Sequence, residues 1–225
     1  MNLMLVELRK TVDTRAARWL LAAVAVLAVA APAVPAGPRT FPALAAAAQL
    51  PVSILLPVLA VLSVTSEWSQ RTALVTFALV PGRWRVVLAK LAAVVVLGAA
   101  GAGFALAAAL VLCAGRGASA AVAGQLVLVD LATMLCAFGF GLLLLASPAA
   151  IAAYYVVPIG WAAAGRLMPA LEPAARWLDL SRTRMPLAEA GVGAAEWARF
   201  AASAALWVAA PILLGLVRTA RAEIR

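Results

Sequence analysis

The chain has 225 residues, of which 66% are hydrophobic and 12% charged, with a mean hydropathy of +1.05. A soluble domain sits nearer half apolar, and here the apolar residues fall in runs close to membrane-spanning length. The net charge of +9 does not point to nucleic acid, because no basic patch is interleaved with stacking aromatics; the cations sit at helix ends and loops, as in membrane proteins.

In chain order, residues 1–18 read as an amphipathic elbow helix. Met1, Leu5, Leu8, Val12, Ala16 and Trp19 share one stripe, with Glu7, Lys10, Thr14 and Arg18 opposite. Such a helix lies in the membrane interface; the plainer alternative is a polar tail. The early charges, from Glu7 to Arg18, argue against a cleavable signal peptide.

The first span is expected over about residues 19–34, ended by Pro32 and Pro35. The second, about 43–64, contains Pro51 and Pro57, which neighbouring helices can accommodate. A polar interruption at 65–83 follows, predicted as a short coupling helix over 66–81 with Glu67 and Arg71 as an i,i+4 pair. Trp68 lies on its apolar stripe, and Phe77, on the more polar side, is a candidate partner contact. Pro81-Gly82 ends the segment ahead of the basic residues Arg83, Arg85 and Lys90.

The third span, about 84–113, has a small-residue face built on Gly98, Gly101, Ala102 and Gly103. The fourth, about 120–146, holds Gln125 and Asp130. Ser147-Pro148 makes a tight reversal, with Ser147 the expected N-cap. The fifth span covers about 149–165. Residues 166–199 form the longest polar loop, expected to carry one or two interfacial helices anchored by Trp177 and Trp197. The sixth span, about 200–217, is kinked at Pro211.

Six spans put both termini on one side. Eleven Lys and Arg fall on that side and seven on the other, which favours cytoplasmic termini in the cell membrane. The predicted fold is therefore all-α, a single polytopic transmembrane domain over residues 1–225.

The chemistry is sparse. There is no histidine, hence no Ser-His pair and no H-E-x-x-H zinc site. Lys10 and Lys90 are the only lysines and neither stands in a phosphate loop. The chain is not expected to be an enzyme or to hold a cofactor, and any ATP would be bound by another subunit. Cys113 and Cys136 lie in apolar runs and read as small buried hydrophobes. Asp130 is the one acid deep in a span, where a charge costs about 2.5–3.5 kcal/mol. Two readings of it stand open: a pairing with Gln125 or an outer-loop arginine, or a substrate or proton role.

The segment SEWSQRTALVTFALVPGRWRVVLAK resembles the loop between the second and third spans of ABC-2-type permeases, the six-span membrane subunits of bacterial ABC exporters. The resemblance rests on Glu67-Trp68, Arg71-Thr72, Pro81 with Arg83, and Ala89-Lys90. The elbow residues Glu7, Arg9 and Lys10, the sixth-span stretch LWVAAPILLGLVR and the Arg-Ala-Glu tail agree with it. It implies a separate ATPase subunit that contacts Glu67, Trp68, Arg71 and Phe77, with Arg83, Arg85 and Lys90 anchored at the headgroups. It further implies pairing with a second copy or a sibling permease. A reading of another class is a non-transporting scaffold or immunity protein that binds partners through its loops.

Overall fold

A computed structural model of the chain describes residues 3–34, 39–69 and 83–221, without the side chains of Trp68, Ser69, Arg83, Ala220 and Arg221. These residues form helices, 3-10 turns and one π-helical turn, with no strand among them. Six helical stretches are long and apolar enough to cross a bilayer: Arg15–Ala33, Phe41–Glu67, Trp84–Leu112, Ala120–Leu144, Ser147–Leu167 and Ala194–Thr219. A helix pairs its own backbone groups, the condition a lipid solvent imposes. The protein is an all-α, multi-pass membrane protein.

Helix α1 (Leu3–Val12) is separate from α2 (Arg15–Ala30). The single elbow helix expected over residues 1–18 is therefore broken, and the cause is local. The Thr14 hydroxyl accepts from the Ala17 N–H at 3.1 Å and caps α2, an interaction typically worth about 1 kcal/mol. The orientation of α1 also differs from the expected one. Glu7, from its polar side, is its one buried residue, while Leu3 and Leu5 are exposed. Leu8 and Val12 still pack on the core. Trp19 is exposed near the start of the span, where an interfacial indole belongs.

Helix α3 (Phe41–Ser69) runs through Pro51 and Pro57 without interruption, and α4 (Arg83–Leu112) packs against it. Helix α5 (Ala120–Leu144) is the centre of the bundle and is mostly buried, whereas α6 (Ser147–Leu167) buries Ala150 and Gly165 alone. The main core gathers Val52, Leu56, Leu59 and Val61 of α3 with Val94, Met134 and Phe138.

Small residues set the closest approaches, on the expected face of α4 and also on α5. A Cβ on Gly139 of α5 would stand 2.9 Å from the Pro211 Cβ and 3.1 Å from the Ile212 nitrogen. The backbone of the last span thus rests directly on α5. Of the predicted small face on α4, Gly101 packs on Leu56 and Gly98 on Met134, while Gly103 faces open space.

The α5–α6 reversal differs from expectation in its cap. Ala146 is the N-cap of α6, and Ser147 and Pro148 are already helical. Leu145 takes the left-handed conformation, at φ 55°, and closes α5. The Ser147 hydroxyl is thereby released to share a 2.7 Å hydrogen bond with Thr65 of α3.

After α6 the chain builds a compact cap from a 3-10 turn, α7 (Glu172–Leu178), α8 (Leu180–Arg184) and a second 3-10 turn over Met185–Ala188. The expected pair of short helices is present, and Trp177 and Trp197 are partly exposed. Asp179 caps α8 by accepting from the Ser181 and Arg182 N–H groups. A second apolar cluster, with Leu180, Leu187, Phe200 and Trp207 meeting Val129, Cys136 and Phe140, seats the cap on the spans.

The sixth span starts at Ala194, before the expected Phe200. Helix α9 (Ala194–Ala204) passes through a π turn at Ala205–Ala209 into α10 (Ala210–Arg221). Pro211 explains the turn. Its ring would collide with the carbonyl four residues back, and the helix widens so that the Ala210 N–H donates to the Ala205 carbonyl. Within the turn, Trp207 Nε1 donates to the Leu178 carbonyl at 2.6 Å, tying span to cap.

Candidate functional site

Four charged side chains close a ring where α1, α3 and α4 meet. Lys90 Nζ lies 2.6 Å from Glu7 Oε2 and 3.0 Å from Glu67 Oε1. Lys10 Nζ stands 3.2 Å from the other oxygen of Glu7 and 3.2 Å from Glu67 Oε1. Lys90 donates to Glu7 Oε2 at 2.6 Å and to the Ser63 carbonyl at 3.0 Å, with Glu67 as its second ion-pair partner. A lysine ammonium suits this arrangement, because its donors point away from one atom instead of lying in the plane of a guanidinium fork. Two cations against two anions leave the ring neutral.

Local structure delivers each member. Glu7 and Lys10 are an i,i+3 pair on one face of α1. Glu67 sits in the last turn of α3, and Lys90 lies two turns into α4. The ring therefore ties α1 to the helices on either side of segment 70–82. The side chains of Glu7, Glu67 and Lys90 are 5%, 11% and 6% exposed, whereas Lys10 is half exposed at the rim. Burial draws the Lys10 ammonium down, but the carboxylates of Glu7 and Glu67 outweigh it and hold the group above the ordinary lysine value. For the buried members, losing one partner strands a charge, which typically costs about 3–5 kcal/mol.

This geometry corrects two expectations. Glu67 does not point outward toward a partner: its carboxylate is turned inward between Lys10 and Lys90. Lys90 is not a headgroup anchor, because Glu7, Glu67 and the Ser63 carbonyl hold its ammonium inside the protein. Arg85 is exposed and lies over the Trp84 ring at 5.8 Å, as an interfacial residue would. Arg71 and Phe77, and the side chains of Trp68 and Arg83, lie outside the described residues.

The sequence offered one unused signal for the ring: the only two lysines among eighteen basic residues both belong to it.

A second polar group lies under the cap. Asp130 is 1% exposed, and its Oδ2 has no hydrogen-bond partner. Arg184 of α8 acts on it electrostatically without forming a salt bridge. Gln125, expected as a possible partner, is committed elsewhere: with its amide in the satisfied orientation it donates to the Leu187 and Glu189 carbonyls at 3.0 and 3.1 Å. It pins the cap, and Asp130 is left without it. Cys113 and Cys136 are buried free thiols. Among the described residues no three His, Cys, Asp or Glu side chains converge.

No protein-family model, curated protein or solved structure matches this chain.

Proposed function

We propose that the chain is the membrane-spanning subunit of an ATP-driven ABC-2-type exporter, with ATP bound and hydrolysed by a separate subunit. In this reading it pairs with a second copy or a sibling permease in the cell membrane, with both termini in the cytoplasm. The observation that carries the proposal is the charged ring, which joins α1 to the ends of the two helices that flank segment 70–82. A push on that segment would reach α1, α3 and α4 together, because moving one alone would strand buried charge. The resemblance of residues 66–90 to the family's loop and the excess of cations on the side of the termini support the same reading. Glu67 then acts from inside, transmitting displacement, while Arg71 and Phe77 remain the candidates for contact with the ATPase.

The test is co-purification with a co-expressed ATPase subunit. Phe77→Ala is the informative variant, since Glu67→Arg would also break the ring. Capture of the ATPase, lost in Phe77→Ala with the fold intact, is the expected result. Failure to capture any ATPase, with cellular function retained in Phe77→Ala, would favour the scaffold or immunity reading. Orientation is tested by Gln70→Cys: a membrane-impermeant maleimide added to intact cells should leave it unlabelled.

A further inference from the structure

The cap carries a basic cleft that plays no part in the coupling proposed above. It has a volume of about 230 Å³ and is lined by Arg176, Arg182, Thr183, Pro186, Glu196 and Arg199. The three arginines come from three helices, α7, α8 and α9, and line one cleft. Each guanidinium carries five N–H donors. Behind two of these arginines, Glu172 accepts from Arg176 Nε at 2.6 Å and from Arg182 Nη1 at 3.5 Å. The Arg199 guanidinium carbon lies over the Trp177 ring, 5.9 Å from its centroid. Glu196 folds back over Gly193 at the start of α9, where a helix N-terminus favours an acid. Three cations against two carboxylates leave one positive charge in excess.

Two further facts narrow the ligand. The cleft stands at the mouth of the sixth span, which begins at Ala194 and includes Arg199, flanked by the partly exposed Trp177 and Trp197. Tryptophans of this kind mark headgroup depth. A planar carboxylate accepts in one plane, whereas a tetrahedral phosphate offers oxygens to donors arriving from several sides. We propose that this cleft binds a phosphate group, either of a phospholipid headgroup or of a soluble phosphoester. It would also account for the five arginines between residues 166 and 199, on the side where the positive-inside bias wants few.

The experiment follows the thermal midpoint of the full chain in uncharged detergent during titration with three probes: short-chain phosphatidylglycerol, the matching diacylglycerol without phosphate, and glycerol phosphate. Phosphatidylglycerol should raise the midpoint and diacylglycerol should not. Arg182→Gln and Arg199→Gln should each weaken the apparent affinity about tenfold, the loss of one charge-assisted contact. Arg182→Lys, which keeps the charge but not the fork, should fall between. Arg116→Gln, which removes one cation from another loop, should bind as the wild type does. Glycerol phosphate binding as tightly as the lipid identifies a soluble source; much weaker binding identifies the headgroup. The proposal is overturned if neither phosphate compound binds, if the cleft variants bind unchanged, or if Arg116→Gln loses as much affinity as they do.

Discussion

Two of the places where the described residues bury acids treat them in opposite ways. Glu7 and Glu67 are locked by Lys10 and Lys90, and Lys90 also donates to the Ser63 carbonyl. Asp130, more deeply buried than either, keeps an oxygen with no hydrogen-bond partner while Arg184 stays out of salt-bridge range. A satisfied ring is a mechanical joint: it resists separation of the helices that supply it. An unsatisfied carboxylate holds nothing together and carries an uncompensated desolvation cost. Burial alone therefore does not say what a charged residue does in a membrane protein. Its partners do.

The largest effect should come from Lys90→Met, which leaves Glu7 and Glu67 short of a buried counter-charge. It should cost about 3–5 kcal/mol, read as a large fall in the thermal midpoint in detergent. Adding Glu7→Gln should recover part of the loss, because fewer anions are then stranded. A Lys90→Met protein as stable as the wild type would dissolve the contrast between the two sites.

Asp130→Asn sharpens it from the other side. The substitution keeps the shape and replaces a buried carboxyl whose Oδ2 has no hydrogen-bond partner, so stability should stay within about 1 kcal/mol of the wild type or rise. If Asp130→Asn were as damaging as Lys90→Met, the Asp130 carboxylate would have to be doing structural work that its surroundings do not explain.

Lys10, on the solvent rim of the ring, should matter less than Lys90, because water screens its pairs. Its pH dependence has a definite sign. The raised value means that its contribution is complete below the ordinary 10.5 and fades as pH climbs through the higher folded-state value. Wild type should therefore lose more stability above that pH than Lys10→Gln does.

The smallest effect belongs to the cap. The hydrogen bond from Arg176 holds the Glu172 carboxyl below the ordinary 4.5. Its contribution is present above that pH and fades as pH falls through the lower folded value. Glu172→Gln should remove this acid dependence and leave the midpoint at neutral pH almost unchanged, because the pair is exposed.

Much of the fold was legible residue by residue. All six spans were foreseen within a few residues at most ends, because length and apolar content are local properties that lipid enforces directly. The exceptions have local causes of their own. Thr14 divides the elbow from α2, and Ser147 forms a side-chain hydrogen bond to Thr65 in place of capping α6. The early start of the sixth span reflects a cap that folds onto α9 through Phe200 and the Thr183–Ser203 hydrogen bond.

The candidate site was legible only as names. Glu67 and Lys90 were singled out, yet both were expected to face outward, and Glu7 and Lys10 were read only as features of the elbow. Spacing along one helix shows that Glu7 and Lys10 share a face. It cannot show that this face turns toward α3 and α4, because that orientation depends on contacts between residues 57 and 83 positions apart.

What the sequence determined by itself is a membrane protein of six helices with an acidic-basic elbow, since hydropathy and helix periodicity act over short stretches of chain. Only the tertiary structure decided which charges were neutralised and which were left alone. Coulomb attraction and desolvation are set by distances of a few ångströms between side chains, and those distances exist only once α1, α3 and α4 have packed together.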